Sequence, residues 1–77
     1  MKVTLFTKDD CGLCKEAERL LRRLQKKIRF DVEFVDIEAD SAVFDRYWAR
    51  VPVVAVDGKE VAAAPLDEHR LRVALSA

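Results

Sequence analysis

Leu5-Phe6-Thr7-Lys8-Asp9-Asp10-Cys11-Gly12-Leu13-Cys14 is the stretch whose reading sets the fold. An apolar run gives way to a short polar loop, and two cysteines spaced C-x-x-C stand where a helix begins. Upstream, Lys2-Val3-Thr4-Leu5-Phe6-Thr7 reads as a strand, because Val, Thr and Phe favour a pleated surface and the near-continuous apolar run suits burial on both faces. Downstream, a helix starts at Gly12 or Leu13. Leu13, Ala17, Leu20, Leu21, Leu24 and Ile28 fall on one helical stripe, and Lys15, Glu18, Arg19, Arg22, Arg23 and Lys26 cover the other side. Glu18 and Arg22 are spaced to pair at i,i+4. The cations from Arg22 to Lys27 complement the negative end of the helix dipole.

Working outward, Phe30 to Ile37 reads as a second strand. Asp40 or Ser41 caps a short second helix with Val43, Phe44 and Tyr47 on one face, ended by Val51-Pro52. Val53–Val56 and Glu60–Ala63 are strands flanking Asp57-Gly58, a strong hairpin signal because both turn residues must accept positive φ. A last helix opens at Pro65, Leu66 or Asp67, with Leu71, Ala74 and Leu75 inward. The order β-α-β-α-β-β-α predicts an α/β fold: a four-stranded mixed sheet with helices on both faces, a parallel first β-α-β unit and an antiparallel closing hairpin.

The bulk numbers agree with one domain over residues 1–77. Fourteen cations balance fourteen anions, so nothing in the net charge calls for nucleic acid or an anionic membrane. No apolar run approaches the roughly 20 residues of a membrane span. The N-terminus is interrupted by Lys8, Asp9 and Asp10 too early for a signal peptide. A soluble cytoplasmic protein, monomeric and free of nucleic acid and membrane, is expected. The absence of Asn suits a heat-adapted organism, although a GC-rich genome also favours Arg, Ala and Val.

Two cysteines so close together staple almost nothing, which leaves redox chemistry or half of a metal site. Zinc needs four ligands, and the only histidine, His69, lies among charged residues of the last helix, where a solvated side chain is expected. No metal site and no bound cofactor are therefore expected within one chain. Two chains sharing four thiolates around a metal or iron–sulfur centre is the alternative. A non-catalytic interaction domain is a third reading, which two intact cysteines disfavour. The position between a strand and a helix favours redox. Cys11, at the helix start, can face the unpaired amides of the first turn, which stabilise a thiolate. Cys14, one turn in, is the expected resolving thiol. Cys11 is thus the expected nucleophile and Cys14 its partner in dithiol–disulfide exchange.

The C-x-x-C start, the element order, Val51-Pro52 before a strand and the Asp57-Gly58 hairpin together resemble the glutaredoxin-like members of the thioredoxin superfamily. That resemblance implies a thioredoxin-like fold and a disulfide oxidoreductase or electron carrier. It implies that Pro52 is cis and lies beside the sulfurs, that the backbone of Val51 pairs with an extended substrate, and that Lys8 meets a glutathione carboxylate. Its partners would be a disulfide-containing protein or small molecule, with glutathione or a thioredoxin-reductase-type flavoenzyme as electron donor. The family's two glycines after the hairpin are replaced here by Ala62 and Ala63, and its acidic pair is displaced to Asp67-Glu68, which predicts weak use of glutathione as co-substrate. Tyr47 and Trp48 are expected to pack in the second helix, and Arg50 to be a solvated loop residue or a contact for an acidic substrate group.

Overall fold

A computed structural model describes residues 1–76. The chain runs β1 (Lys2–Thr7), α1 (Gly12–Leu24), β2 (Asp31–Asp36), a 3₁₀ turn (Ile37–Ala39), α2 (Ser41–Tyr47), β3 (Val53–Val56), β4 (Lys59–Ala63) and α3 (Glu68–Ser76). The four strands form one sheet in the order β2-β1-β3-β4. β1 pairs parallel with β2, and β3 is antiparallel to both β1 and β4. This is the α/β architecture and element order that the sequence predicts.

The two sheet faces carry separate cores. On one face Val3, Leu5 and Val54 pack under Ala17, Leu20, Leu21 and Leu24 of α1 and Leu71 and Leu75 of α3. On the other, Ile37, Tyr47 and Val53 are buried with Phe6, Val43, Phe44, Val51 and Ala63 packed against them. Phe6 and Tyr47 stack with ring centroids 4.2 Å apart, which ties β1 to α2. The alternation along β1, with Val3 and Leu5 facing α1 and Phe6 facing α2, is why its apolar run is nearly continuous.

Local chemistry sets the ends of the elements. Asp40 caps α2, its Oδ1 accepting from the Ala42 and Val43 amides at 2.9 and 3.3 Å. Asp57 and Gly58 hold φ of 48° and 86°, the left-handed pair that a two-residue hairpin needs. Glu18 and Arg22 pair at 3.6 Å on the outer face of α1. Val51-Pro52 is cis, and so is Ala64-Pro65, for which the sequence carried no signal.

Several expectations need correction. α1 stops at Leu24, and Ile28 lies beyond a turn, although its amide still bonds the Leu24 carbonyl at 2.8 Å. β2 starts one residue after Phe30, and Ile37 belongs to the 3₁₀ turn. α3 begins at Glu68, because Asp67 serves as its cap: the Asp67 carboxylate accepts from the Arg70 amide at 2.9 Å. Leu13 is 55% exposed rather than part of the buried stripe, which is carried by Cys14, Ala17, Leu20, Leu21 and Leu24. Trp48 is 57% exposed, so only Tyr47 of the aromatic pair packs.

Candidate redox site

The cysteines sit where the sheet hands the chain to α1. Asp10, at φ 54°, turns the chain out of the loop after β1 and delivers Cys11 to the cap position of the helix. The Cys11 backbone is extended there, at φ −121° and ψ 104°, and its Sγ accepts from the Cys14 amide at 3.2 Å. A sulfur replaces the oxygen that usually caps a helix, so one of the unpaired amides of the first turn points at it. The C-x-x-C spacing brings the Cα atoms within 5.2 Å, and the two sulfurs form a disulfide.

The surroundings of the two sulfurs differ. Cys11 is half-buried and reaches solvent, whereas Cys14 is 2% exposed. Leu13, between them, stands out from the surface. No acidic residue lies in the first turn of α1, while Lys8, Asp9 and Asp10 of the preceding loop line the same depression as Cys14.

The other predicted residues fall in different depressions of the surface. Pro52 is buried, accepts from the Ala64 amide at 3.0 Å, and borders a groove of about 320 Å³ with Leu13, Ala17, Leu20, Pro65 and Leu66. Lys8 lines a different depression, of about 430 Å³, with Cys14, Lys15, Glu18 and Asp36. Lys8 and Pro52 therefore do not share one pocket. Val51 departs from expectation. Its amide donates to the Tyr47 carbonyl at 3.1 Å, so one of the two backbone groups that an added strand would need is already engaged inside the fold. The reason is the tight turn after α2, in which the Trp48, Arg50 and Val51 amides all bond back to carbonyls of the helix end.

The alanines that stand in place of glycine also take a role the sequence did not reveal. Ala62 pairs with Val54 and packs on the α1 face, and Ala63 pairs with Val53 and packs on the α2 face. Their methyl groups fill the two cores rather than covering the groove, whose edge is made by Ala64 and Pro65. Asp67 is engaged as well. The Arg70 amide bonded to its carboxylate, helped by the His69 amide and the nearby charges of Arg70 and His69, holds it below the usual carboxylate range despite some desolvation.

Arg50 is exposed, as expected of a loop residue, but it is paired. Its guanidinium grips Glu60 of β4 with two bonds, Nη1 to Oε2 at 2.5 Å and Nη2 to Oε1 at 3.1 Å. It also lies over the Tyr47 ring, 5.5 Å from the centroid. The hydrogen bond from Arg50 is the main cause that holds Glu60 below the usual carboxylate range. Sequence reading missed this pair, because no local spacing rule links positions 50 and 60.

Among the described residues, no group of three or more His, Cys, Asp or Glu side chains is placed to hold a metal, and no helix is long and apolar enough to cross a membrane. The model of the glutaredoxin-like domain (DUF836) family matches residues 2–76. A structural-genomics target protein from X. campestris, solved by X-ray, is 36% identical with a TM-score of 0.76, covering 96% of this chain and 95% of its own. A mutant thioredoxin from Halobacterium salinarum is 26% identical with a TM-score of 0.71, over 97% of this chain and 71% of its own. An uncharacterised protein of Mycobacterium tuberculosis is 30% identical over 76 residues, 92% of this chain and 78% of the relative.

Proposed function

The chain belongs to the glutaredoxin-like domain family, and from that premise we propose that it is a thiol–disulfide oxidoreductase in which Cys11 is the nucleophile and Cys14 the resolving thiol. The observation that carries this reading is the unequal burial of two cysteines joined across one helix turn. The cysteine that caps the helix is partly exposed, and its partner is 2% exposed.

The steps follow from that asymmetry. In the reduced chain, the amides at the start of α1 favour the Cys11 thiolate. It attacks one sulfur of a substrate disulfide. The substrate S–S bond breaks, a Cys11–substrate bond forms, and the released sulfur takes up a proton. Cys14 then loses its proton and attacks Cys11 Sγ. The mixed disulfide breaks, the second substrate thiol leaves protonated, and the chain is left with the Cys11–Cys14 bond. Two electrons and two protons have passed to the substrate. Pro52 shares a groove with Leu13, the residue between the two cysteines, and because the Val51 amide is engaged by Tyr47, the Val51 carbonyl is the group offered to a substrate backbone. Lys8 stands on the far side of Cys14, where its charge meets an anionic group of a substrate.

Limiting alkylation of the reduced protein near neutral pH tests the assignment. Mass spectrometry is expected to find the label on Cys11, with Cys14 protected. Faster labelling of Cys14 would overturn it.

The electron donor in this reading is a thioredoxin-reductase-type flavoenzyme rather than glutathione. Glutathione is a charged tripeptide and needs free polar groups around the sulfurs. Here Asp67 is engaged in capping α3, Arg50 is held by Glu60, and Lys8 lies away from the groove beside Pro52. A charge-assisted hydrogen bond contributes about 1.5–3 kcal/mol, so missing even one lowers kcat/KM about tenfold or more. A coupled NADPH assay is expected to show turnover with thioredoxin reductase and at most a tenth as much with glutathione plus its reductase (about one such bond). Comparable rates with the two donors would overturn the donor assignment and leave the thiol roles standing.

A further inference from the structure

Glu60 reaches Arg50 because of an irregularity in the sheet. β3 and β4 are paired Val54 with Ala62 and then Ala55 with Glu60, so Val61 is an extra residue on β4. Cross-strand partners share a face. Val53 and Ala63 lie on the α2 face, Val54 and Ala62 on the α1 face. Ala55, two residues from Val53, is again on the α2 face and carries Glu60 there with it. In a regular strand, Glu60 would share the face of Ala62 and point towards α1 and α3. The bulge at Val61 turns it over, the re-aiming that such bulges achieve beside functional sites.

On the α2 face Glu60 meets one side chain from the turn that leads into Val51-Pro52. The resulting chain of contacts runs from Phe6 of β1, stacked on Tyr47, through the Arg50 guanidinium over the Tyr47 ring, to the Glu60 carboxylate on β4. It joins the turn to strands on both sides of β3. The planar guanidinium suits both contacts, a bidentate carboxylate grip and a cation over a ring.

We propose that Arg50 and Glu60, brought onto one face by the bulge at Val61, are positioning residues that hold the Val51-Pro52 turn, whose proline shares a groove with Leu13 of the C-x-x-C motif. The proposal rests on the oxidoreductase reading for its catalytic consequence and stands on geometry for its structural one. Both side chains are more than a third exposed, so the pair adds little to global stability. Its effect is local, on the few residues of the turn. The mutual hydrogen bond holds Glu60 below the usual carboxylate range and Arg50 above its ordinary value, so both groups are held in their charged forms, which agrees with a pair that persists in the folded chain.

Three variants test this: Glu60→Gln, Arg50→Gln, and the swap Arg50→Glu with Glu60→Arg. Two measurements are made on each. One is exchange of the Val51 amide, which is bonded to the Tyr47 carbonyl. The other is turnover of a cysteine-bridged peptide, resolved into kcat and KM. Either single variant is expected to speed Val51 exchange by roughly three- to fivefold, the size of a good exposed ion pair, and to raise KM by a similar factor. The Cys11 alkylation rate and the melting temperature stay unchanged. The swap is expected to restore both readouts towards wild type.

Unchanged Val51 exchange in Glu60→Gln overturns the positioning role whether or not the chain proves to be an oxidoreductase. Loss of activity in the Arg50 variants with Glu60→Gln equal to wild type or better would make Arg50 a substrate contact and overturn it as well. A wild-type chain that reduces no disulfide overturns the oxidoreductase reading alone, and the exchange arm still decides the role of the pair.

Discussion

Cys14→Ser protein, reduced and mixed with a disulfide substrate, is expected to accumulate a covalent adduct on Cys11, whereas Cys11→Ser protein forms almost none. The argument rests on position. Cys11 caps α1 with its Sγ and is the more exposed of the two cysteines, so it is the one placed to meet a substrate sulfur. With Cys14 replaced, the mixed disulfide has no neighbouring thiol to resolve it, and it persists until an external thiol arrives. With Cys11 replaced, the remaining thiol is 2% exposed, and no substrate disulfide reaches it without opening the start of α1. Both variants lose dithiol turnover, by several orders of magnitude for the nucleophile variant, since Ser is a far weaker nucleophile at neutral pH. Non-reducing gels and intact-mass measurement read the adduct directly. Equal adduct yields from the two variants would remove the asymmetry on which the mechanism stands.

The second large effect concerns stability. Leu21 of α1 is fully buried between Val3, Leu5 and Val54 on the sheet and Leu71 and Leu75 of α3. Leu21→Ala leaves a cavity in the larger core and is expected to cost about 2–5 kcal/mol. A domain of this size has only about 4–12 kcal/mol in total, at about 0.05–0.15 kcal/mol per residue. The melting temperature should therefore fall by at least about 8 °C, at about 4–8 °C per kcal/mol. Leu13→Ala is the control. It changes the same residue type on the same helix, but Leu13 is 55% exposed, and surface changes stay within about 0.5 kcal/mol. Thermal unfolding followed by circular dichroism separates the two. A Leu21→Ala melt within two degrees or so of wild type (under about 0.5 kcal/mol) would contradict the packing described for α1.

The contrast between the two leucines shows where the sequence stops informing. A 3.6-residue period places Leu13 and Leu21 on one stripe of the helix and says nothing about where the helix leaves the sheet. The same limit applies to Trp48, which shares helical spacing with packed residues but lies past the end of α2, in the turn. The helix caps and the hairpin were legible because they depend on a few adjacent residues: Asp40 before Ser41, Asp57 before Gly58, Cys11 before Gly12. The C-x-x-C pair was legible for the same reason, since one helix turn of spacing is enough to bring two sulfurs together.

By itself, then, the sequence determined the elements and their order, the mixed sheet, the closing hairpin and the cysteine pair at the start of α1. Each is written in short-range patterns of polarity, φ preference and spacing. The tertiary structure alone decided that Lys8 and Pro52 line separate depressions, that the Val51 amide is spent on the Tyr47 carbonyl, that Ala62 and Ala63 fill opposite cores, and that Arg50 finds Glu60. These outcomes depend on strand register, and register in β4 depends on one extra residue at Val61. A shift of a single position in a strand exchanges its two faces, and a property with a period of two cannot be read from a strand whose bulge is visible only once its partner is in place.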